Sequence, residues 1–208
     1  MGLDSKGRPY VGGQTVIWRA DSLAALSAKA KPWYGWATVG GNINDLQLDA
    51  KDVVHVARNN GTIWRVDPAQ SPLKPEQLHP WGDEASIAVH PKTQNVWAIQ
   101  RNKGKLVEIH RGTLVITTRA HWAKAGVVRT NRIAWHPTDG RLYATSFVKP
   151  KGGYVLRWDP AKPQKLETWI SGLNEKKAPD GVAWNAAGTC LYYTAPLSGT
   201  VNAVCKCP

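Results

Sequence analysis

The sequence predicts an all-β fold, a five-bladed β-propeller with an incomplete last blade. Three observations carry this reading: a shared three-strand plan, polar turn residues recurring at blade spacing, and tryptophans recurring in step with them. The stretches GLDSKGRPYVGGQTVIWRAD, LQLDAKDVVHVARNNGTIWRVDP, IAVHPKTQNVWAIQRNKGKLVEIH, IAWHPTDGRLYATSFVKPKGGYVLRWDP and VAWNAAGTCLYYTAPLSGTVNAV each read as strand, turn, strand, turn, strand. The first strands end at Asp4, Asp49, His90, His136 and Asn185, separated by 45, 41, 46 and 49 residues. That is the period of four-stranded propeller blades, not of helical arrays. Trp36, Trp81, Trp122 and Trp169 follow at intervals of 45, 41 and 47 residues, each shortly before the next inner strand. Repeats thus start near residues 1, 44, 85, 131 and 180 of one propeller domain spanning 1–208.

The elements follow in order. In DSLAALSAKAK, Asp21 stands as an N-cap before apolar residues at helical spacing, which predicts one short helix. Fourth-strand candidates are the segment before Val39, LVITTRA from Leu114 and KLETWI from Lys165. His90 and His136 each precede Pro at the end of an inner strand and read as turn residues. Trp97, Trp135 and Trp184 occupy strand positions, where large aromatics serve packing.

The last hairpin can be registered from sequence. Centring it between Leu197 and Ser198 sets Thr194 opposite Val201, Leu191 opposite Val204 and Cys190 opposite Cys205. Directly opposed residues at a non-hydrogen-bonded pair are close enough for a disulfide. A Cys190–Cys205 bridge would staple a blade lacking its fourth strand, leave Cys207 unpaired and imply an oxidising compartment. The competing reading is three free thiols in a reducing one. Either a three-stranded blade completes the propeller, or further chain lies beyond this sequence.

Composition narrows the function. The 208 residues, 42% apolar and 20% charged, suffice for one sizeable core. Twenty-seven Lys and Arg against fifteen Asp and Glu leave +12, which favours encounter with phosphates, sulfates or acidic glycans. The densest basic groups, KAK at Lys29, RNKGK at Arg101 and KPKGG at Lys149, sit beside Gly and Pro, as solvated loops or an anion-binding surface. No run of eighteen apolar residues exists, and the N-terminus lacks the order of a signal peptide, so the chain is expected to be soluble with no membrane span. G-x-S-x-G, the phosphate loop and H-E-x-x-H are all absent. No nucleic-acid-binding signature is present, which disfavours that partner. Nothing in the pattern specifies an oligomeric state.

Two residue sets remain as candidate sites. Trp33, Tyr34 and Trp36 in KPWYGWATVGG follow Pro and flank Gly, which places them on a loop. With Arg58 they would bind a glycan or an anionic small ligand without catalysis, a role suited to a chain with eleven Trp. The second set comes from aligning the repeats, which superposes Asn44, Ala85, Asn131 and Asp180 at inner-strand starts. Asn44, Asn131 and Asp180 offer oxygen to a hard divalent cation such as Ca²⁺ or Mg²⁺. The competing reading is local backbone hydrogen bonding. A scaffold for protein partners is a third class of function.

From about Thr130 to Val204, the stretches GRLYATSF, GGYVLRWDP, ISGLN and PDGVAWNAAGTCLYYTAPLSGTVNAV resemble consecutive blades of senescence-marker/gluconolactonase-like propellers. The resemblance implies a divalent cation in the central channel assisting lactone or ester hydrolysis. By position, Asp180 falls where that family has a metal-binding Asn, Asn131 where it has an amide near the substrate, and Asn44 where it has a metal-binding Glu. The blade supplying the family's metal-binding Asp would lie beyond Pro208. A second likeness, from Trp36 to about Trp184, rests on NVWAI and TIWRVDP, which resemble tectonin-type lectin propellers. It implies shallow sugar sites between or upon blades.

Overall fold

Short apolar runs punctuated by Gly, Asn and Asp favour strands joined by tight turns, and strands dominate the fold. A computed structural model describes residues 1–35, 42–127, 129–148, 152–173 and 179–205. Among them are five antiparallel sheets in chain order, the architecture of a five-bladed β-propeller. The first comprises β1 (Gly2–Leu3), β2 (Pro9–Gly12), β3 (Val16–Arg19) and β4 (Lys31–Gly35). The second comprises β5 (Ile43–Leu48), β6 (Val54–Arg58), β7 (Thr62–Val66) and β8 (Pro75–Pro80). The third has β9 (Ala85–Val89), β10 (Val96–Gln100), β11 (Lys105–Ile109) and β12 (Ile116–His121). The fourth has β13 (Thr130–Trp135), β14 (Leu142–Val148), β15 (Gly152–Trp158) and β16 (Leu166–Leu173). The fifth has three strands among the described residues, β17 (Val182–Trp184), β18 (Cys190–Ala195) and β19 (Thr200–Cys205).

The blade period has a chemical cause in the turn after each inner strand. Asp4 Oδ1 accepts the N–H groups of Lys6 and Arg8, and Asp49 Oδ1 those of Lys51 and Val53. His90 Nδ1 accepts from Lys92 and Thr93, and His136 Nδ1 from Thr138 and Asp139. Asn185 Oδ1 accepts from Thr189 and Cys190. Three residue types therefore perform one task, supplying an acceptor to a turn whose backbone donors lack ladder partners.

The recurring Trp marks a second device. The Trp81 N–H donates to Gly61 O at 3.0 Å, and the Trp122 N–H to Gly104 O at 2.8 Å. Each bond ties the chain leaving an outer strand to the blade's middle hairpin. Gly61 has φ +81°, and a Cβ there would stand 2.2 Å from the Asp83 backbone nitrogen, so only glycine allows the approach.

Packing divides the chain into two units, Met1–Val89 and His90–Pro208, the division falling after β9. In the first, Tyr10, Ile17, Leu46, Val54, Val56 and Val66 form a core cluster. In the second, Tyr143, Val155, Leu191 and Tyr193 form another, against which Trp169 and Trp184 pack. Trp97 and Trp135 are buried and meet edge to face, ring centroids 5.0 Å apart.

Two local expectations need correction. The helix α1 is a single turn, Leu26–Lys29, whose N-cap position is Ala25 and not Asp21. Ser22 Oγ accepts the Ala25 N–H at 3.3 Å, so a local turn takes up the donor that a longer helix would have used. Strand β8 was not anticipated, because Pro75 and Pro80 bound it and its pattern is polar; Arg65 Nε on Glu76 at 2.7 Å helps hold it.

Candidate functional site

The starts of the inner strands are where sequence placed a cation. In the first unit, Asn44 Nδ2 donates to Ala85 O at 2.8 Å. The neighbouring Asp45 is buried, and its Oδ2 accepts the Ser86 hydroxyl at 2.6 Å and the Ile87 N–H at 3.1 Å. Polar side chains on β5 thus bind β9, about forty residues on, through its backbone and the Ser86 hydroxyl, and not the local backbone that the competing reading expected.

The second unit repeats the device with one addition. Asn131 is buried on β13, and its Nδ2 donates to Pro179 O at 3.0 Å. Its Oδ1 accepts from Arg101 Nε at 3.2 Å and Nη2 at 2.9 Å. Arg132 Nη1 donates to the Asn131 carbonyl at 2.9 Å. Thr145 donates its hydroxyl to Asp180 O at 2.6 Å, which brings Asp180 beside this cluster. The Asp180 backbone N–H donates to Thr194 O, while its half-buried carboxylate has no hydrogen bond among the described residues.

This donor set does not fit a divalent cation. The Asn131 oxygen that would face a metal is directed at a guanidinium, and a second guanidinium lies on the same residue's carbonyl. Among its described residues the cluster brings together two guanidinium groups and one carboxylate-bearing residue, Asp180, whereas Ca²⁺ sites gather several oxygens and net negative charge. Among the described residues, no group of three His, Cys, Asp or Glu is placed to hold a metal. What the arrangement offers is a mixture of guanidinium donors and one carboxylate acceptor, a combination suited to hydroxyl and anionic groups.

The aromatic set is placed differently from expectation. Trp33 and Tyr34 lie on the strand β4, not on a loop, and pack against the first unit's core. Trp33 meets Tyr10 edge to face at 5.0 Å, and burial pushes the Tyr34 phenol above its ordinary pKa. Trp36 lies outside the described residues, as do Lys149 and Cys207. Arg58 ends β6 with no exposed surface, and burial lowers its pKa, so it is an interior group and not a surface contact. Burial of every residue of β6, and the packing of the middle of β4 against strands distant in sequence, decided these positions.

Arg101 was visible in the sequence only as part of a basic run, and Arg132 was missed. The available signal was position: Arg132 follows the aligned Asn131 directly, on the strand that the alignment had identified.

These features define an all-β propeller with a polar cluster at its inner-strand starts. No protein-family model matches the chain, and no curated protein matches it. Its fold is similar to that of a chain in a nidogen/laminin complex, with TM-score 0.77 at 14% identity over 95% of this chain and 74% of that one. A gluconolactonase from Xanthomonas campestris gives 0.71 at 16% identity, over 93% and 67%. A luciferin-regenerating enzyme gives 0.71 at 15%, over 93% and 68%. The chain therefore shares its fold with gluconolactonase-like propellers, and at these identities the likeness is one of fold alone.

Proposed function

We propose that this protein is a non-catalytic, lectin-like propeller that recognises glycans, anionic ones especially, at the inner-strand starts of its fourth and fifth blades. The observation that carries the reading is the Arg101 guanidinium on Asn131 Oδ1, where a metal-dependent hydrolase would present oxygen to a cation. Arg101 and Arg132 supply positive charge, and the Asp180 carboxylate accepts from sugar hydroxyls. A basic chain of net charge +12 adds long-range attraction for carboxylated or sulfated ligands.

The second reading is a metal-dependent lactonase or esterase. The Asp180 carboxylate, without a hydrogen bond among the described residues, and the fold shared with the gluconolactonase favour it. Calorimetric titration of chelator-treated protein with Ca²⁺, Mg²⁺ and Zn²⁺ separates the two, run beside a glycan array on wild type and Asp180→Ala. The lectin reading expects no saturable metal binding, and array signals that fall in the variant. Saturable metal binding lost in Asp180→Ala, with lactone turnover, would replace it by the hydrolase.

A further inference from the structure

A cleft along the outer strand β12 is unrelated to the inner-strand starts. It has two adjoining lobes of about 400 and 500 Å³, both lined by Thr118, Arg119 and Pro163, within the size range of small-ligand sites. His90, Glu108 and Trp97 are among the further residues of the smaller lobe; His121, Lys124 and Gln164 belong to the larger.

Arg119 is held in place before any ligand arrives. Its guanidinium lies over the Trp97 ring, 5.9 Å from the centroid, and its Nε and Nη2 donate to Glu108 Oε2. Glu108 is buried, and its Oε1 accepts from Asn95 Nδ2 at 2.5 Å; Asn95 Oδ1 in turn accepts the Arg111 N–H at 3.1 Å. This buried chain of bonds fixes the guanidinium plane, so little side-chain entropy is lost on binding. Nη1 makes no hydrogen bond among the described residues, and the side chain is 45% exposed.

The rest of the lining is rich in donors. His90 Nδ1 accepts two backbone N–H groups, so the neutral ring carries its proton on Nε2. Thr118 adds a hydroxyl and Lys124 an ammonium on the exposed 3₁₀ turn Trp122–Ala125. Glu108 is the one carboxylate among the described lining residues, and both of its oxygens are engaged.

We infer that this cleft is a second binding site, for a saccharide bearing carboxylate or sulfate groups, with Arg119 Nη1 and Lys124 as anion contacts. The proposal rests on the glycan reading only for its class of ligand. A nucleic acid is the poorer occupant, because Trp97, Trp122 and Trp158 are only 4, 2 and 1% exposed and offer no ring face on which a base could stack. Recognition must come from donors spaced along the cleft, which matches a chain of hydroxyls and anions.

The test is titration of a heparin-derived hexasaccharide at physiological salt into wild type, Lys124→Glu, Arg119→Lys and Asp180→Ala. Arg119→Lys keeps the charge but loses the fork that both grips Glu108 and faces the cleft; Lys124→Glu alters an exposed position and leaves the core intact. Each is expected to weaken binding about tenfold, with an unchanged unfolding midpoint for Lys124→Glu, and the loss is expected to persist when each is combined with Asp180→Ala, which removes the share bound at the inner-strand starts. Wild-type affinity in both cleft variants, or no binding by wild type, overturns the proposal. Equal competition by hexameric oligodeoxythymidine does so too, because it would mark adhesion to net charge. Failure here leaves the Asp180-dependent array signal standing, so the two readings fail separately.

Discussion

Single side chains explain why such different residues recur at one position. Asp, His and Asn share an acceptor two atoms beyond Cβ or closer, and the turn needs only that. Histidine adds a dependence on pH. Burial lowers the His90 pKa, with Lys92 adding to the effect and Glu108 opposing it. Between the folded and unfolded values the unfolded chain binds the extra proton, so stability rises with pH through that window and is complete above about 6.5. Replacing His90 by Asn keeps an acceptor and removes the titration. We expect urea midpoints of wild type to fall below about pH 6.5 more steeply than those of His90→Asn; parallel curves would refute this. His136 is used at both nitrogens, since Nε2 also meets Gly188 O at 2.9 Å. Gly188 has φ +69°, and a Cβ there would lie 2.5 Å from His136 Cε1. Gly188→Ala should therefore cost about 2 kcal/mol or more, measured by chemical unfolding.

Among the elements, the last hairpin was the most legible. The observed register pairs Thr194 with Val201, Leu191 with Val204 and Cys190 with Cys205, as the hairpin centre predicts. The cysteines are bonded, with Cα atoms 4.0 Å apart. The bridge closes a short loop with a sequence separation of 15, so reduction should destabilise the protein by about 3 kcal/mol. Denaturant curves with and without reductant measure it, and coincident curves would mean that β18 and β19 hold together without the bridge. The bond is consistent with an oxidising compartment. Outer strands were harder to read: β12 and β16 overlap the predicted segments, but β8 carries too little apolar pattern. One exposed face leaves an outer strand free to be polar.

For the protein as a unit, charge and site chemistry agree. If guanidinium groups stand where a cation would bind, divalent metal contributes nothing to folding. Chelator treatment should then leave the thermal unfolding midpoint unchanged, and added Ca²⁺ should not raise it. A midpoint that climbs with Ca²⁺ concentration would show a ligand held by the folded state and contradict the assignment of Asn131 to Arg101. No helix among the described residues is long and apolar enough to cross a membrane.

Blade period, turn residues and the register of the final hairpin were readable from sequence because each depends on groups a few residues apart. A turn acceptor serves N–H groups two to five positions on, and a hairpin sets its own pairing. The binding residues depended on distant partners. Asn131 meets Arg101 thirty residues away, and nothing local distinguishes an amide oxygen facing a guanidinium from one facing a metal. Trp33, Tyr34 and Arg58 looked like surface groups from their neighbours in the chain, yet packing across strands buried or half-buried them. Local hydrogen bonding determines the blades; which polar groups remain accessible is set only when the strands pack.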